Sequence, residues 1–163
     1  MPQPSQIVIA AAAIADFKQI KALYLASDEY HFQQSVDEFK SPAQMSEQRD
    51  EIGFKQLLET KNCIVLAASY QQKIIGIVAG NVSDQQSFIL RQKLIGHIDE
   101  VAVDPDYRGL GCAKKLIGAI EDKFSQFKVE EIVLNVYQFN SGARALYQQM
   151  GYREKLFKLA KSL

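Results

Sequence analysis

The hydrophobic positions along the chain fall into runs of two different periods. Residues 63–70 (CIVLAASY) and 73–82 (KIIGIVAGNV) are apolar and rich in β-branched side chains, with only Gln71 and Gln72 between them. That pattern predicts an antiparallel hairpin. A third run, LIGHIDEVAV at 94–103, follows the polar loop SDQQS, and QIVIA (6–10) and EIVLNVY (131–137) read as further strands. Helical spacing is clearest after residue 112, where Ala113, Leu116, Ile117, Ile120, Phe124 and Phe127 share one face. Phe17, Ile20 and Tyr24 repeat the pattern behind a candidate cap at Asp16, and SEQRDEIGFKQLLET (46–60) reads as a second helix. The stretch between them, YHFQQSVDEFKSPAQM, carries turn formers and is expected to be irregular. Near the end, SGARALYQQM puts Ala143, Leu146, Tyr147 and Met150 on one helix face, with Asn140 placed to cap its start and Gly151 to end it. YREKLFKLA (152–160) alternates imperfectly and is expected as a last strand. The predicted order is β-α-α-β-β-β-α-β-α-β, a mixed α/β fold in a single domain over residues 1–163.

Composition narrows the function classes. At 163 residues, 47% hydrophobic and 23% charged, the chain has the make-up of a globular domain with one core. Lys plus Arg and Asp plus Glu number 19 each, so no net field draws the protein to nucleic acid or to an anionic membrane. Any recognition of charge must be local. Cys63 and Cys112 lack the spacing of a disulfide framework or a zinc site and are expected as free thiols in a reducing compartment. The apolar stretch IVIAAAAIA has no basic residue before it and is followed at once by Asp16 and Lys18, unlike a signal peptide. No apolar run approaches the roughly 20 residues that span a bilayer. The cytoplasm is the expected location.

The chemistry-bearing stretch is DPDYRGLGCAKK, residues 104–115, between the third long strand and the most periodic helix. A strand that turns through glycines into a helix presents free backbone N–H groups at the positive end of a helix dipole, an arrangement suited to phosphate or pyrophosphate. Arg108 can add charge-assisted bonds. A Walker loop needs four residues between its glycines and Ser or Thr after the Lys, and a dinucleotide fingerprint needs a small residue at position 114, which is lysine. Neither motif is present.

Arg108–Ala113, read as Arg-x-x-Gly-x-Ala after the strand VAVDPDY, resembles the pyrophosphate-binding motif of the GNAT superfamily of acyl-CoA-dependent N-acetyltransferases. Asn140 through Tyr152 resembles the later Asn-x-x-Ala-x-x-Leu-Tyr-x-x-x-Gly-Phe/Tyr motif of the same family. The resemblance implies a GNAT-like mixed sheet and direct transfer of acetyl from acetyl-CoA, as co-substrate and with no metal, to a primary amine. It implies that Arg108, Gly109, Leu110, Gly111, Cys112, Ala113 and Lys114 hold the CoA phosphates. Val101, Ala102, Val103 and Asn140 would lie along the pantetheine arm, with the oxyanion held by a backbone N–H near Val101. Tyr147 would meet the thioester sulfur and protonate the departing thiolate.

An amine of pKa about 10.4 must lose a proton before it attacks, so a base is required. The family places a carboxylate on the strand GHIDEVAV, where this chain offers Asp99 and Glu100. Strand alternation lets only one of the two face the acceptor unless a bulge intervenes. The resemblance favours Glu100 as base and leaves Asp99 as an acceptor contact; His97 is a weaker candidate. Cys112 at a helix start suggests a covalent acetyl-cysteine route as a minor alternative. In such folds the first helices and their loop shape the acceptor pocket, here Tyr30, His31 and Phe39, with the acids Asp28, Glu29, Asp37 and Glu38 nearby. The expected partner is a small-molecule or peptide amine. Edge strands in such folds often pair between copies, so a homodimer is compatible with this reading. A non-catalytic acyl-CoA-binding module and a nucleotide phosphotransferase are the rival classes, the latter without a visible metal-binding acid set.

Overall fold

The computed structural model describes Gln3 and residues 6–163. Its centre is a five-stranded sheet in the order β1-β2-β3-β4-β5: β1 Val8–Ala11, β2 Cys63–Tyr70, β3 Lys73–Asp84, β4 Leu94–Val103 and β5 Glu131–Leu134. The first three pairings are antiparallel and β4–β5 is parallel. Gln71 and Gln72 both take left-handed conformations, φ 46° and 66°, which give the two-residue turn the twist of the flanking strands. Among the described residues five α-helices accompany the sheet: α1 Phe17–Gln34, α2 Pro42–Gln48, α3 Glu51–Glu59, α4 Cys112–Gln126 and α5 Ser141–Gln149. This is the mixed α/β class that the hydrophobic pattern predicts.

Two apolar layers clamp the sheet. On one face Leu116, Ile117, Ile120 and Phe124 of α4 are fully buried against Ile75, Val78 and Ile98. Each such burial is worth about 1.5–3 kcal/mol relative to exposure, which pins α4 along its whole length. On the other face Ile20, Leu23 and Tyr24 of α1 and Phe54 of α3 cover Val65, Ile77, Ala79 and Ala102. The α4 side is tight enough that a Cβ at Gly96 would lie 2.7 Å from the Phe124 ring.

The register of β3 on β4 shifts between Ala79 and Gly80: Ala79 opposes Glu100 and Gly80 opposes Ile98, so Asp99 is an extra residue on β4. Gly80 permits this, since a Cβ there would stand 2.5 Å from the His97 carbonyl oxygen.

Several expectations are corrected. Residues 152–160 form no strand. Leu156, Phe157 and Leu159 are exposed, and the segment is tied by charged side chains, Arg144 to Glu154 and Lys155 to Glu131, rather than by a backbone ladder. The stretch after Tyr30 is more helical than its turn formers suggest. α1 continues to Gln34, and Ser41 starts α2 with a capping box to Gln44 and Pro42 in the first turn. The single helix expected over 46–60 is therefore two, broken at Arg49 and Asp50, where the extended backbone of Asp50 lets its side chain cap α3 through the Gly53 N–H at 2.7 Å. Asp16 does not cap α1; its carboxylate accepts from the Ala13 N–H in a short 3₁₀ turn, Ile14–Asp16. Phe127 lies past the end of α4 and is half exposed rather than on the buried face.

Candidate functional site

The parallel pairing of β4 with β5 covers only Ile95–Ile98 against Glu131–Leu134. Beyond it β4 runs on to Val103 while the chain after Leu134 leaves the sheet, so Val101, Ala102 and Val103 have no strand partner on the β5 side among the described residues. The sheet thus opens into a V whose free arm carries backbone hydrogen-bonding groups. At the end of that arm Asp104 fixes the turn. Its N–H donates to Ile75 O at 2.9 Å, and its carboxylate accepts from the Asp106 N–H at 3.0 Å and from Lys73 Nζ at 2.8 Å.

Gly109 and Gly111 follow with φ of +76° and +78°, the left-handed region that favours glycine. Nothing stands within 4 Å of where their Cβ atoms would be. Gly111 starts α4 without a side-chain cap, and among the described residues the N–H groups from Gly109 to Lys114 have no hydrogen-bond partner. The turn is therefore an open row of donors at a helix N-terminus, with Arg108 exposed beside it. Lys114 is exposed at the same end, whereas Lys115 turns away and donates to Ile7 O at 3.2 Å.

The bulge at Asp99 answers the question left open by strand alternation. With one extra residue in β4, Asp99 and Glu100 both reach the α1 side of the sheet. They have different partners. Asp99 is exposed, with His97 Nδ1 at 2.7 Å from Oδ1 and Asn81 Nδ2 donating to Oδ2 at 2.8 Å. Glu100 is part-buried: Arg49 Nη1 donates to its Oε1 at 2.7 Å, and Arg49 Nη2 donates to Asp28 Oδ1 at 2.9 Å. The guanidinium lies over the Tyr24 ring, 4.1 Å from its centroid. Burial raises the Glu100 carboxyl above the usual carboxylate range, while Arg49 and the Tyr24 hydroxyl pull part of the way back. Burial and the Glu100 charge push the Tyr24 phenol up in turn. Asp28 is 6% exposed, and its Oδ2 is the one buried side-chain oxygen or nitrogen without a partner among the described residues.

On the other side of the V, Asn140 caps α5 by accepting from the Ala143 N–H at 3.3 Å, which leaves its Nδ2 group uncommitted. The Tyr147 ring packs against the α4-side core and lies 5.7 Å from the Tyr152 ring, edge to face. Its hydroxyl makes no hydrogen bond among the described residues, whereas the Tyr152 hydroxyl donates to Glu121 at 2.6 Å. Burial raises the Tyr147 phenol.

Cys112 points into the core, 2% exposed, and burial pushes its thiol up to about 11, the reverse of an activated nucleophile. Iodoacetamide is accordingly expected to alkylate the half-buried Cys63 in the native protein and Cys112 only after unfolding, as read by peptide mass mapping. Equal native labelling of the two would reopen the covalent route.

The rings of Tyr30, His31 and Phe39 lie in one cluster, and two further rings join them from the β5–α5 connection. His31 has Tyr30 and Phe39 at 5.5 Å, Phe139 at 5.7 Å and Tyr137 at 6.2 Å between centroids, and Tyr137 stacks on Phe139 at 5.2 Å. Of the acids near them, Glu29, Asp37 and Glu38 are exposed; only Asp28 turns inward. Arg49 was invisible to periodicity because its partners lie 21 and 51 residues away. One signal was available. Asp28 continues the buried stripe of Ile20 and Tyr24 at i+4, and a carboxylate on a buried stripe requires a cation from elsewhere in the chain. Among the described residues no group of His, Cys, Asp or Glu is gathered as metal ligands, and no helix is long and apolar enough to cross a membrane.

Comparison with known proteins agrees with this geometry. A 60-residue stretch is 42% identical to N-alpha-acetyltransferase 30 of Saccharomyces cerevisiae, covering 37% of this chain and 34% of that protein. Three of the curated relatives that the chain matches, this one among them, are covered over only 34 to 41% of their length. Among solved structures, a mutant of the BH1408 protein from Bacillus halodurans superposes with a TM-score of 0.87 at 22% identity, over 96% of this chain and 99% of that one. The aminoglycoside N-acetyltransferase AAC(6')-Iy in complex with CoA superposes with a TM-score of 0.72 at 13% identity, over 96% and 94%. At these identities the structural likenesses establish the fold. The acetyltransferase (GNAT) family model matches residues 18–152, nearly the whole described chain, and on that match the protein belongs to the GNAT acetyltransferase family.

Proposed function

We propose that the protein transfers an acetyl group from acetyl-CoA to a primary amine by direct attack in a ternary complex. The observation that carries this is the open V between β4 and β5, ending in the uncapped donor row of Gly109 to Lys114. A pyrophosphate would meet those N–H groups and Arg108, in a turn where Gly109 and Gly111 leave no side chain in the way. The free backbone of Val101 to Val103 and the Nδ2 group of Asn140 would bond the amide-bearing arm that follows. The thioester supplies the electrophilic carbonyl.

Around that carbonyl the chain's own residues carry the proton traffic. Glu100, directly or through a water, takes the proton that the ammonium must lose before its nitrogen can attack. A backbone N–H near Val101 meets the negative charge that develops on the carbonyl oxygen. As the carbon–sulfur bond breaks, the Tyr147 hydroxyl gives its proton to sulfur and is reprotonated from solvent. Both cysteines are free, which suits a reducing compartment such as the cytoplasm. The rival reading, an acyl-CoA-binding module without turnover, draws on the hold of Arg49 on the Glu100 carboxylate.

Calorimetric titration separates the ligand classes. Acetyl-CoA is expected to bind, with affinity about tenfold weaker in Arg108→Ala, the size of one lost charge-assisted contact. A melting temperature raised by ATP with magnesium and not by acetyl-CoA would contradict the assignment of the turn.

A further inference from the structure

The group formed by Asp28, Arg49, Tyr24 and Glu100 has a charge left over. Two carboxylates face one guanidinium, and the His31 ring lies one turn further along α1 from Asp28. With both carboxylates ionised the group carries one uncompensated negative charge in a largely buried place, a costly arrangement that a bound cation would relieve. Asp28 Oδ2 says where the deficit lies. It is buried without a donor among the described residues, whereas Arg49 bonds the neighbouring Oδ1 through Nη2 and Oε1 of Glu100 through Nη1. Buried carboxylate oxygens rarely stay unpaired.

The surroundings restrict what can bring that cation. The ring cluster of His31, Phe39, Tyr137 and Phe139 adjoins Asp28 through His31 and joins the end of α1 to the connection that leads into Asn140. It is only part-buried, with Tyr137 45% exposed, so its rings present a face as well as packing on one another. Among the described residues no second enclosed carboxylate near the site is free to hold another positive charge: Asp99 is engaged by His97 and Asn81, Glu29 is exposed and accepts from Gln33, and Asp37 and Glu38 are exposed. A polycation or a polyhydroxylated amine would meet an apolar wall.

From this, and resting on the acetyltransferase reading above, we propose that the acceptor is a small monocationic primary amine carried on an aromatic or similarly flat apolar body. Its ammonium is received by Asp28 and Glu100, and its body lies on the ring wall of His31, Phe39, Tyr137 and Phe139. Arg49 is a positioning residue that holds the two carboxylates side by side across one guanidinium.

The test compares kcat/KM for 2-phenylethylamine, n-butylamine, spermidine and glucosamine with acetyl-CoA saturating. The phenyl compound is expected to lead n-butylamine by about tenfold, with spermidine and glucosamine below both. Tyr137→Ala and Phe139→Ala should each cut the phenylethyl-to-butyl ratio about fivefold. Asp28→Asn should raise KM for the amine about tenfold while KM for acetyl-CoA stays put. Because Asp28→Asn removes a buried ion-pair partner, its melting temperature is recorded alongside; the exposed Tyr137 site keeps the test decisive if that variant does not fold. Spermidine or glucosamine ahead of phenylethylamine, or a ratio unmoved by both ring variants, overturns the inference and leaves the acetyltransferase reading standing. Thiol release with none of the amines, despite acetyl-CoA binding, overturns that reading and the inference with it.

Discussion

Glu100→Gln is expected to lower kcat/KM by about 10²–10⁴-fold, the usual worth of a positioned general base, while leaving acetyl-CoA affinity close to that of the parent protein. The substitution keeps the shape of the side chain and a hydrogen-bond acceptor for Arg49 Nη1, now 2.7 Å from Oε1, but removes the ability to take a proton. The pH dependence identifies the role. A base works only when deprotonated, so kcat/KM must fall as pH drops through the Glu100 pKa. Burial raises that pKa and Arg49 lowers it. Replacing Arg49 by Gln removes the lowering influence, so the acid limb of the profile should move to higher pH. In Glu100→Gln the limb itself should vanish. If Glu100 serves only to anchor Arg49, the variant would melt earlier yet keep its turnover per folded molecule, and the acid limb would persist.

Phe124→Ala is expected to cost about 3–5 kcal/mol of folding stability, measured by urea unfolding. That is a large share of the 5–15 kcal/mol typical of a whole domain. The ring is fully buried and fills space that Gly80 and Gly96 leave by having no side chains, with their would-be Cβ atoms 2.9 and 2.7 Å from it. No neighbouring side chain on β3 or β4 can collapse into the void from those two positions. The loss bears on the site as well as the core. Phe124 and Gly80 sit under the register shift that turns Asp99 and Glu100 to one side, and α4 carries the donor row at its other end. A cost below about 1.5 kcal/mol, the range of swaps that keep core volume, would mean that the helix is not locked onto the glycines as described.

What the sequence made legible is what depends on near neighbours. The Gln71–Gln72 hairpin, the ten-residue β4, the apolar face of α4 from Leu116 to Phe124 and the Asn140 cap of α5 are each specified by residues within a few positions of one another, and each is observed. The V between β4 and β5 was implied only through the family resemblance. The bulge was legible as a condition and no further, because the shift depends on Gly80 meeting the His97 carbonyl across two strands. Arg49 was hidden for the same reason, being joined to Asp28 and Glu100 by folding rather than by spacing. The tail after Gly151 misled in the opposite direction. Its alternation resembles a strand, but alternation specifies a face and not a partner, and Leu156, Phe157 and Leu159 remain exposed.

Direct transfer requires that acetyl pass to an amine bound beside Glu100 while the thioester lies in the V. Initial rates of thiol release, measured while acetyl-CoA and 2-phenylethylamine are varied against each other, distinguish it from a two-step route. Double-reciprocal lines that intersect, with one N-acetylated amine formed per thiol, are the predicted result. Parallel lines, which signal an acetyl group parked on the protein between two half-reactions, or thiol release independent of the amine, would contradict it.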